Sequence, residues 1–397
     1  MAPRIDLLDP ASFRGGQPHD QFAWLREHDP VHRHAEPDGP GFWAVTRYED
    51  VRLVGREPTR FSSHPTIMID DPRPGSGSEG HTMMLMADPP LHTAMRRLVS
   101  RSFTPRAAAA LRPRVAELAA RIVDAVAGRD ECDLVADIAG EMPSFVIAEL
   151  LGIPLEDGRR LYACTEALHS VRDASSRAAQ AAAYREMFTY SRQVWERKSA
   201  EPGDDLSSLL IAGAIDGVPQ DEIDFFLWFL LLIDAGGDTT RNLVGGGMLA
   251  LFEHPEQLAW LLEDLDGRLG TAVEELLRWV SPVIHMRRTT TTATELRGTA
   301  LQAGDKVVVY YGAANRDPEV FADAEQLLLD RDPNPHVAFG GGGPHICLGA
   351  HLARIEIECL LRELLGRYPG LRQAGEPTWP SSNFIYGPRT LPVRLAG

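Results

Sequence analysis

Hydrophobic and polar residues alternate in short runs near the beginning of the chain and again in its last third. Residues 31–34 and 42–48 show the period of two that is typical of strands, and residues 285–292 and 306–312 repeat it. Clusters of proline and glycine separate these runs. The pattern predicts a small sheet-containing region built from distant parts of the chain.

Between residues 91 and 279 the apolar positions instead recur with the spacing of amphipathic helices. Alanine- and leucine-rich segments cover 106–128, 143–151 and 177–198, and a last helix is predicted from near Cys347 to near Tyr368. We therefore predict a mainly α fold with a smaller β region, within a single domain over 1–397. The predicted β-containing lobe covers about 22–65, 283–312 and 376–395, and the helical lobe covers about 91–280 and 347–368.

One segment fits neither pattern. Residues 70–80 (DDPRPGSGSEG) are rich in Pro, Gly and Ser, and they are too many for a simple turn. Long irregular connections inside compact domains are usually binding loops or lids. We predict a mobile loop on the substrate side.

Length, composition and charge narrow the class of protein. The 397 residues exceed the roughly 250 to 300 at which one core usually stops growing, so the chain can enclose a ligand completely. A hydrophobic content of 44% excludes a disordered, collagenous or coiled-coil chain. The net charge of -16 disfavours nucleic acid and anionic membrane surfaces as partners. Without a signal-peptide pattern or a long apolar run, we expect a cytoplasmic protein.

A glycine-rich segment, FGGGGPHICLGAHLAR, leads into the last predicted helix and contains Cys347. At a helix N-terminus the pKa of a thiol is lowered, so we predict a thiolate that ligates a metal or attacks carbon. No Lys-Ser/Thr follows the glycines, which excludes a phosphate-binding loop, and His345 would need a bent loop to activate the sulfur. Ligation of haem remains, with the glycines against a flat macrocycle. The alternative is a buried cysteine after a turn.

A second segment, LLIDAGGDTTRN, lies inside a long apolar stretch that is predicted to be helical. Adjacent glycines cost about 1 kcal/mol each in a helix interior, and a carboxylate among apolar residues must be satisfied or functional. Gly236 and Gly237 are predicted to open a local bulge with room for dioxygen and a water. The alternative is that Thr239 bonds back to the preceding turn while Asp238 pairs with Arg241.

Taken together, these segments resemble the cytochrome P450 superfamily in its soluble bacterial form. The second one matches the family's Ala/Gly-Gly-x-Asp/Glu-Thr-Thr pattern, and Glu275-Leu-Leu-Arg278 matches its Glu-x-x-Arg. The resemblance covers about residues 22–395 and implies the cytochrome P450 fold, with haem b buried between the Thr-Thr helix and the Cys loop. The segment from Phe339 to Cys347 is one residue longer than the usual family loop, which is similar to some bacterial sterol and lipid hydroxylases.

The resemblance also implies roles for particular residues. Cys347 is expected to be the axial iron ligand, and Thr239 to deliver protons to bound oxygen with Asp238 as the link to solvent. Buried haem propionates require charge-assisted donors, which Arg and His supply. The residues expected at the cofactor are His92, Arg96, Arg288 and His345 at the propionates, with Ala235, Gly236, Phe339 and Gly349 also in contact with it.

Two further groups are expected from the family pattern. Glu275 and Arg278 are predicted to form a buried network that supports the haem loop, with His336 or Arg331 as its third member. Glu and Arg at this spacing commonly form a solvated pair, so the order of the segments along the chain carries this prediction. The predicted substrate pocket consists of Met86, Phe229, Val283, Ile284, Met286, Phe384 and Ile385.

We therefore predict a haem-thiolate monooxygenase that inserts one oxygen atom from O2 into a lipophilic small molecule such as a steroid, terpenoid, fatty acid or polyketide. No flavin or iron-sulfur domain fits in the sequence, so electrons are expected from a separate ferredoxin and its reductase, docking near Arg97 and Arg101. The protein is expected to be a monomer. The alternatives are epoxidation, ring coupling, peroxide-driven oxidation, or a haem-binding sensor without turnover.

Overall fold

Helices form most of the chain, as the hydrophobic pattern predicts, and short strands form small sheets beside them. The computed structural model describes residues 3–37, 39–72, 80–168 and 174–395, so most of the loop predicted at 70–80 lies outside the described residues. The helices are α1 His19–His28, α2 Tyr48–Arg56, α3 Leu91–Val99, α4 Pro105–Asp124, α5 Glu141–Leu151, α6 Leu155–Leu168, α7 Ala174–Ala200, α8 Leu206–Ile211, α9 Glu222–Glu253, α10 Pro255–Glu263, α11 Leu265–Val280, α12 Tyr311–Ala314 and α13 Ala350–Arg367.

The strands are short and come from both ends of the chain. They are β1 Val31–His34, β2 Phe42–Val45, β3 Phe61–Ser62, β4 Glu131–Asp133, β5 Ala214–Ile215, β6 Val218–Pro219, β7 His285–Thr290, β8 Thr294–Leu296, β9 Thr299–Leu301, β10 Lys306–Tyr310, β11 Arg372–Gln373 and β12 Pro392–Arg394. Five of them form one sheet in the order β1-β2-β10-β7-β3, in which β2 and β10 are parallel and the other pairs are antiparallel. The mainly α fold with a smaller β region is confirmed.

The central element is α9, whose 32 residues are buried along most of their length. Its start is fixed by a capping box, because the Asp221 carboxylate accepts from the backbone N–H groups of Ile223 and Asp224 while the Asp224 carboxylate accepts from the N–H of Asp221. It packs against α5, α6, α7, α11 and α13. Residues in the middle of α9 can therefore line an enclosed site.

Side chains of strand β7 point alternately toward that site and away from it. Met286 and Arg288 lie on one face of the strand and His285 and Arg287 on the other, as the period of two requires. A second sheet, β11-β12-β4, joins the C-terminal strand to β4 between the helices. Among the described residues, no helix is both long and apolar enough to cross a membrane.

Candidate functional site

A cavity lies between α9 and the loop that precedes α13. It holds about 1560 Å³ of space not filled by protein atoms, part of which is open to solvent. Cys347 from the loop and Thr239 from α9 both face it, together with Ala235, Gly236 and Phe339. Most of the remaining wall is apolar and includes Met84, Leu85, Phe103, Val146, Ile147, Leu150, Trp228, Leu231, Leu232, Leu243, Val283 and Met286.

Cys347 lies in a turn just before the last helix. Its backbone N–H donates to the Phe339 carbonyl at 2.9 Å, and α13 begins three residues later at Ala350, so the predicted helix start near Cys347 is slightly early. Burial raises the pKa of the Cys347 thiol, and this effect outweighs the lowering by the Gly349 N–H and by Arg96. The position ahead of α13 therefore does not by itself lower the pKa of this thiol. A coordinated metal ion deprotonates a thiol, so the thiolate depends on the cofactor.

The glycine run before Cys347 has two tasks. Gly340 and Gly342 adopt φ values of 102° and 100°, which favour glycine. A Cβ on Gly341 would lie only 2.7 Å from the Val51 carbonyl oxygen, because this part of the run packs against α2. The sequence suggested that the glycines lie against a macrocycle, but only part of the run is free to do so, because Gly341 packs against α2. Gly340 and Gly349 do line the cavity, and a Cβ on Gly349 would meet no atom within 4 Å.

Four basic side chains converge at the cavity, namely His92, Arg96, Arg288 and His345. The rings of His92 and His345 are 4.1 Å apart, and both ring nitrogens of His92 are buried without a hydrogen-bond partner. Burial, with the positive charge of Arg96, lowers the pKa of His92 to about 4. Burial, with the charge of Arg288, lowers the pKa of His345 to about 3. Within the described residues, the Asp88 carboxylate acts on His92 and Arg288 through its charge but forms no ion pair with them.

This cluster fits the haem that the family resemblance implies. In the described part of the chain, Arg96 and Arg288 have no carboxylate within ion-pair distance. Arg96 instead donates to the carbonyls of Pro344 and Ile346 at 3.2 and 2.7 Å, which ties α3 to the Cys loop. Two propionates would pair with the buried cations and satisfy the nitrogens of His92. The basic side chains therefore match the negative charge of the haem propionates, and the apolar wall matches the porphyrin ring.

The Glu275 network is present, and its Glu275 and Arg278 side chains are fully buried. Arg278 donates through Nε and Nη2 to the two Glu275 oxygens at 2.7 Å each, and Arg331 Nε donates to the same carboxylate at 3.1 Å. Arg331 is therefore the third member. His336, the other candidate, contacts the neighbouring Glu274 at 3.0 Å.

Glu274 forms a second network that the sequence reasoning missed. Arg354 on α13 donates to it through Nη2 at 2.7 Å, and the Arg354 guanidinium lies 4.5 Å from the centre of the Phe339 ring. Burial alone would raise the pKa of Glu274, but Arg354 and His336 lower it to about 2. The network thus connects α11, α13 and the start of the Cys loop. Two adjacent glutamates in the sequence give no signal of this second set of contacts.

The two residues predicted to transfer protons, Thr239 and Asp238, both lie on α9 but point in different directions. Thr239 faces the cavity, and its hydroxyl donates to the Ala235 carbonyl at 3.0 Å, which is the back-bonded alternative. Asp238 is 7% exposed and does not line the cavity, so its role as the link to solvent stays a prediction. It accepts from the Tyr162 hydroxyl at 2.7 Å. The predicted bulge is also wrong, because α9 continues as a helix through Gly236 and Gly237.

A further acid faces the cavity from α13. Burial raises the pKa of Glu356 to about 8, although a hydrogen bond with Thr240 opposes this shift. Its Oε2 atom has no hydrogen-bond partner within the described residues. At neutral pH its protonated, uncharged form is favoured.

Of the seven residues predicted in the substrate pocket, two line the cavity, Val283 and Met286. Phe229 is fully buried on another face of α9, where its ring lies 6.0 Å from those of Tyr190 and Phe225. Ile284, just before β7, is fully buried in a core cluster with Phe22 and Tyr310 and does not line the cavity. The residues predicted in the pocket that do not line the cavity are Met86, Phe229, Ile284, Phe384 and Ile385.

Comparisons with known proteins agree with this geometry. The family model for Cytochrome P450 matches residues 227–385. A methyl-branched lipid omega-hydroxylase of Mycobacterium tuberculosis is 39% identical over 94% of this chain and 90% of its own length. A steroid C26-monooxygenase of Mycolicibacterium smegmatis is 35% identical over 98% and 96%. A solved Mycobacterium marinum cytochrome P450 in complex with pseudoionone has a TM-score of 0.93 at 36% identity, covering 99% of both chains.

Proposed function

Because this chain belongs to the cytochrome P450 family, we propose that it hydroxylates an uncharged, branched lipophilic molecule near the end of an apolar chain. Membership makes it a haem-containing monooxygenase. The observation that carries the finer proposal is the cavity, in which the Cys347 sulfur and the Thr239 hydroxyl share an otherwise apolar space. An enzyme is favoured over a haem-binding sensor because these relatives are monooxygenases or hydroxylases.

The residues that would hold the cofactor follow from the site. Cys347 would ligate the iron, and His92, Arg96, Arg288 and His345 would hold the propionates. When bound, haem iron supplies the oxygen activation that no protein side chain can provide. The apolar wall keeps water away from the reacting carbon.

Thr239 and Asp238 are the residues we assign to proton transfer. Thr239 Oγ1 lines the cavity and would pass a proton to the reacting site. Asp238, the preceding residue, would receive a proton from solvent and replace the one that Thr239 passes on. Positioned acid and base groups of this kind contribute roughly 10² to 10⁴ in rate.

The charges around the cavity narrow the substrate class. In the described part of the chain, every cationic side chain that lines the cavity is assigned to the propionates, so none is left for a substrate carboxylate. Glu356 would repel an anion further when it ionises. The names of two relatives refer to the omega position of a methyl-branched lipid and to C26 of a steroid. These observations support an uncharged, branched hydrocarbon end over a free fatty acid.

A matched ligand panel tests this proposal. A sterol ketone, a methyl-branched fatty ester, a straight-chain ester and the corresponding free acid are titrated while the haem spin state is recorded. We expect the sterol or branched ester to bind at least tenfold more tightly than the free acid, and its product to gain one oxygen atom when a surrogate ferredoxin and reductase supply electrons. Equal affinity for the free acid and its ester would contradict the charge argument, and product analysis distinguishes hydroxylation from epoxidation or coupling.

The electron donor is proposed to be a separate acidic ferredoxin. Arg97 and Arg101 are exposed next to Arg96, which contacts the Cys loop. Charge complementarity mainly affects the association rate. Arg97→Glu together with Arg101→Glu should slow reduction by the ferredoxin, most strongly at low salt, while chemical reduction by dithionite stays unchanged. An unchanged ferredoxin rate would place the docking surface elsewhere.

A further inference from the structure

Tyr162 on α6 packs directly against α9 beside the proton-transfer pair. A Cβ placed on Gly237 would lie 2.7 Å from Cδ2 of the Tyr162 ring, so the ring occupies the space that a side chain at that position would need. The family pattern leaves the residue between Gly236 and the acid open. In this chain that residue is Gly237, and its lack of a side chain leaves room for the Tyr162 ring.

The hydroxyl of Tyr162 lies between two charged groups. It donates to Asp238 Oδ1 at 2.7 Å and accepts from Arg241 Nη1. Because a guanidinium has only donors, the tyrosine oxygen must act as acceptor toward Arg241, and its own hydrogen is then directed at Asp238. The Arg241 guanidinium also lies 5.4 Å from the centre of the Tyr162 ring. These contacts fix both the ring and the hydroxyl.

We propose that Tyr162 is a positioning residue for proton transfer: it holds the Asp238 carboxylate on the α6 side of α9, where the carboxylate takes up a proton from solvent and passes it on to replace the one that Thr239 gives up. A hydrogen bond donated to a carboxylate favours its charged form. All three members of the cluster are less than a tenth exposed, at 9% for Tyr162, 7% for Asp238 and 8% for Arg241, so bulk water competes little for these bonds. This inference rests on the proposed role of Asp238 and Thr239.

Tyr162→Phe tests the inference because it keeps the ring against Gly237 and removes only the hydroxyl. We expect unchanged substrate affinity and an unchanged substrate-induced spin shift, with turnover slower by on the order of tenfold and a larger solvent isotope effect, since a whole acid-base contribution is 10² to 10⁴. Tyr190→Phe is the matched control, because the Tyr190 hydroxyl also donates to an aspartate, Asp157, at 2.7 Å but lies on α7. The control should leave turnover and the isotope effect unchanged.

Asp238→Asn, made in the wild-type and in the Tyr162→Phe protein, distinguishes a failure of the inference from a failure of the proposed function. If the inference holds, Tyr162→Phe has no further effect on turnover once Asp238 is Asn, and urea unfolding of the four haem-loaded proteins shows that the two substitutions are not additive. If Asp238→Asn slows turnover but Tyr162→Phe behaves like the Tyr190 control, Tyr162 has no positioning role and the proposed function stands. If Asp238→Asn leaves turnover unchanged, the proton-transfer role of Asp238 fails, and the inference fails with it. An equal slowing by Tyr162→Phe in both backgrounds would show that it acts without Asp238.

Discussion

Glu275→Gln tests whether the buried network supports the fold. The Glu275 carboxylate accepts five hydrogen bonds, two from Arg278 and one each from Arg331, Asn334 and the Leu328 N–H. The side chains of Glu275 and Arg278 are 0% exposed. Glutamine keeps the shape of glutamate, but it removes the negative charge and turns one oxygen into a donor that faces other donors.

The expected loss follows from burial. Removing one partner of a buried ion pair costs about 3 to 5 kcal/mol, because the remaining charge has neither water nor a counter-ion. Exposed pairs contribute about 0 to 1 kcal/mol. The pair Glu131 and Arg394, with side chains 52% and 51% exposed, provides the matched control. The decrease in the free energy of unfolding should therefore be at least three times as large for Glu275→Gln as for Glu131→Gln.

Urea unfolding of the haem-loaded proteins, followed by circular dichroism at equal haem content, measures this difference. An equal loss in the two variants would refute the reasoning. If Glu275→Gln does not accumulate as folded protein, Arg331→Met gives a graded test, since Glu275 then keeps its bonds to Arg278. Its loss should exceed that of Arg394→Met.

Four further outcomes are expected. Cys347→His should abolish the long-wavelength Soret band of the carbon monoxide complex, whereas Cys359→Ser should keep it; the reverse result would reassign the ligand. Arg288→Ala, which leaves a propionate unpaired, should purify with reduced haem content by pyridine haemochrome assay, and full occupancy would argue against its role. Thr239→Ala should bind substrate normally but release more hydrogen peroxide per nicotinamide oxidised, and tight coupling would contradict its assignment. The pKa of Glu274 is about 2, below the usual carboxyl value of about 4.3, so the stability lost in Glu274→Gln should be constant near pH 7 and disappear as the pH falls from about 4 toward 2; a loss independent of pH would exclude ionisation as its cause.

Features that depend on short contiguous motifs could be predicted from the sequence. The Cys347 loop and the Thr-Thr helix are local patterns, and their order along the chain indicated one large enclosed site. The basic cluster was expected from the resemblance to the family, since spacing alone does not choose between Arg96 and Arg97 or between Arg287 and Arg288.

Features that depend on packing could not be predicted. Periodicity marks Phe229 and Ile284 as buried, but it does not tell a cavity wall from an ordinary core. Spacing left Arg331 and His336 equivalent, and only the fold assigns them to two adjacent glutamates. Tyr162 is separated from Asp238 by 76 residues, so no local motif joins them.

The parallel pairing of β2 with β10 has a consequence for biosynthesis. Strand β2 begins at Phe42 and its partner begins at Lys306, so about three-quarters of the 397 residues must be made before the two can meet. Contacts this distant in sequence are slow to form, since loop closure precedes any gain from pairing. During translation the hairpin of β1 and β2 has an open edge, which favours binding by a chaperone or association between chains. We expect folding, and with it haem capture, to finish only after the C-terminal third leaves the ribosome.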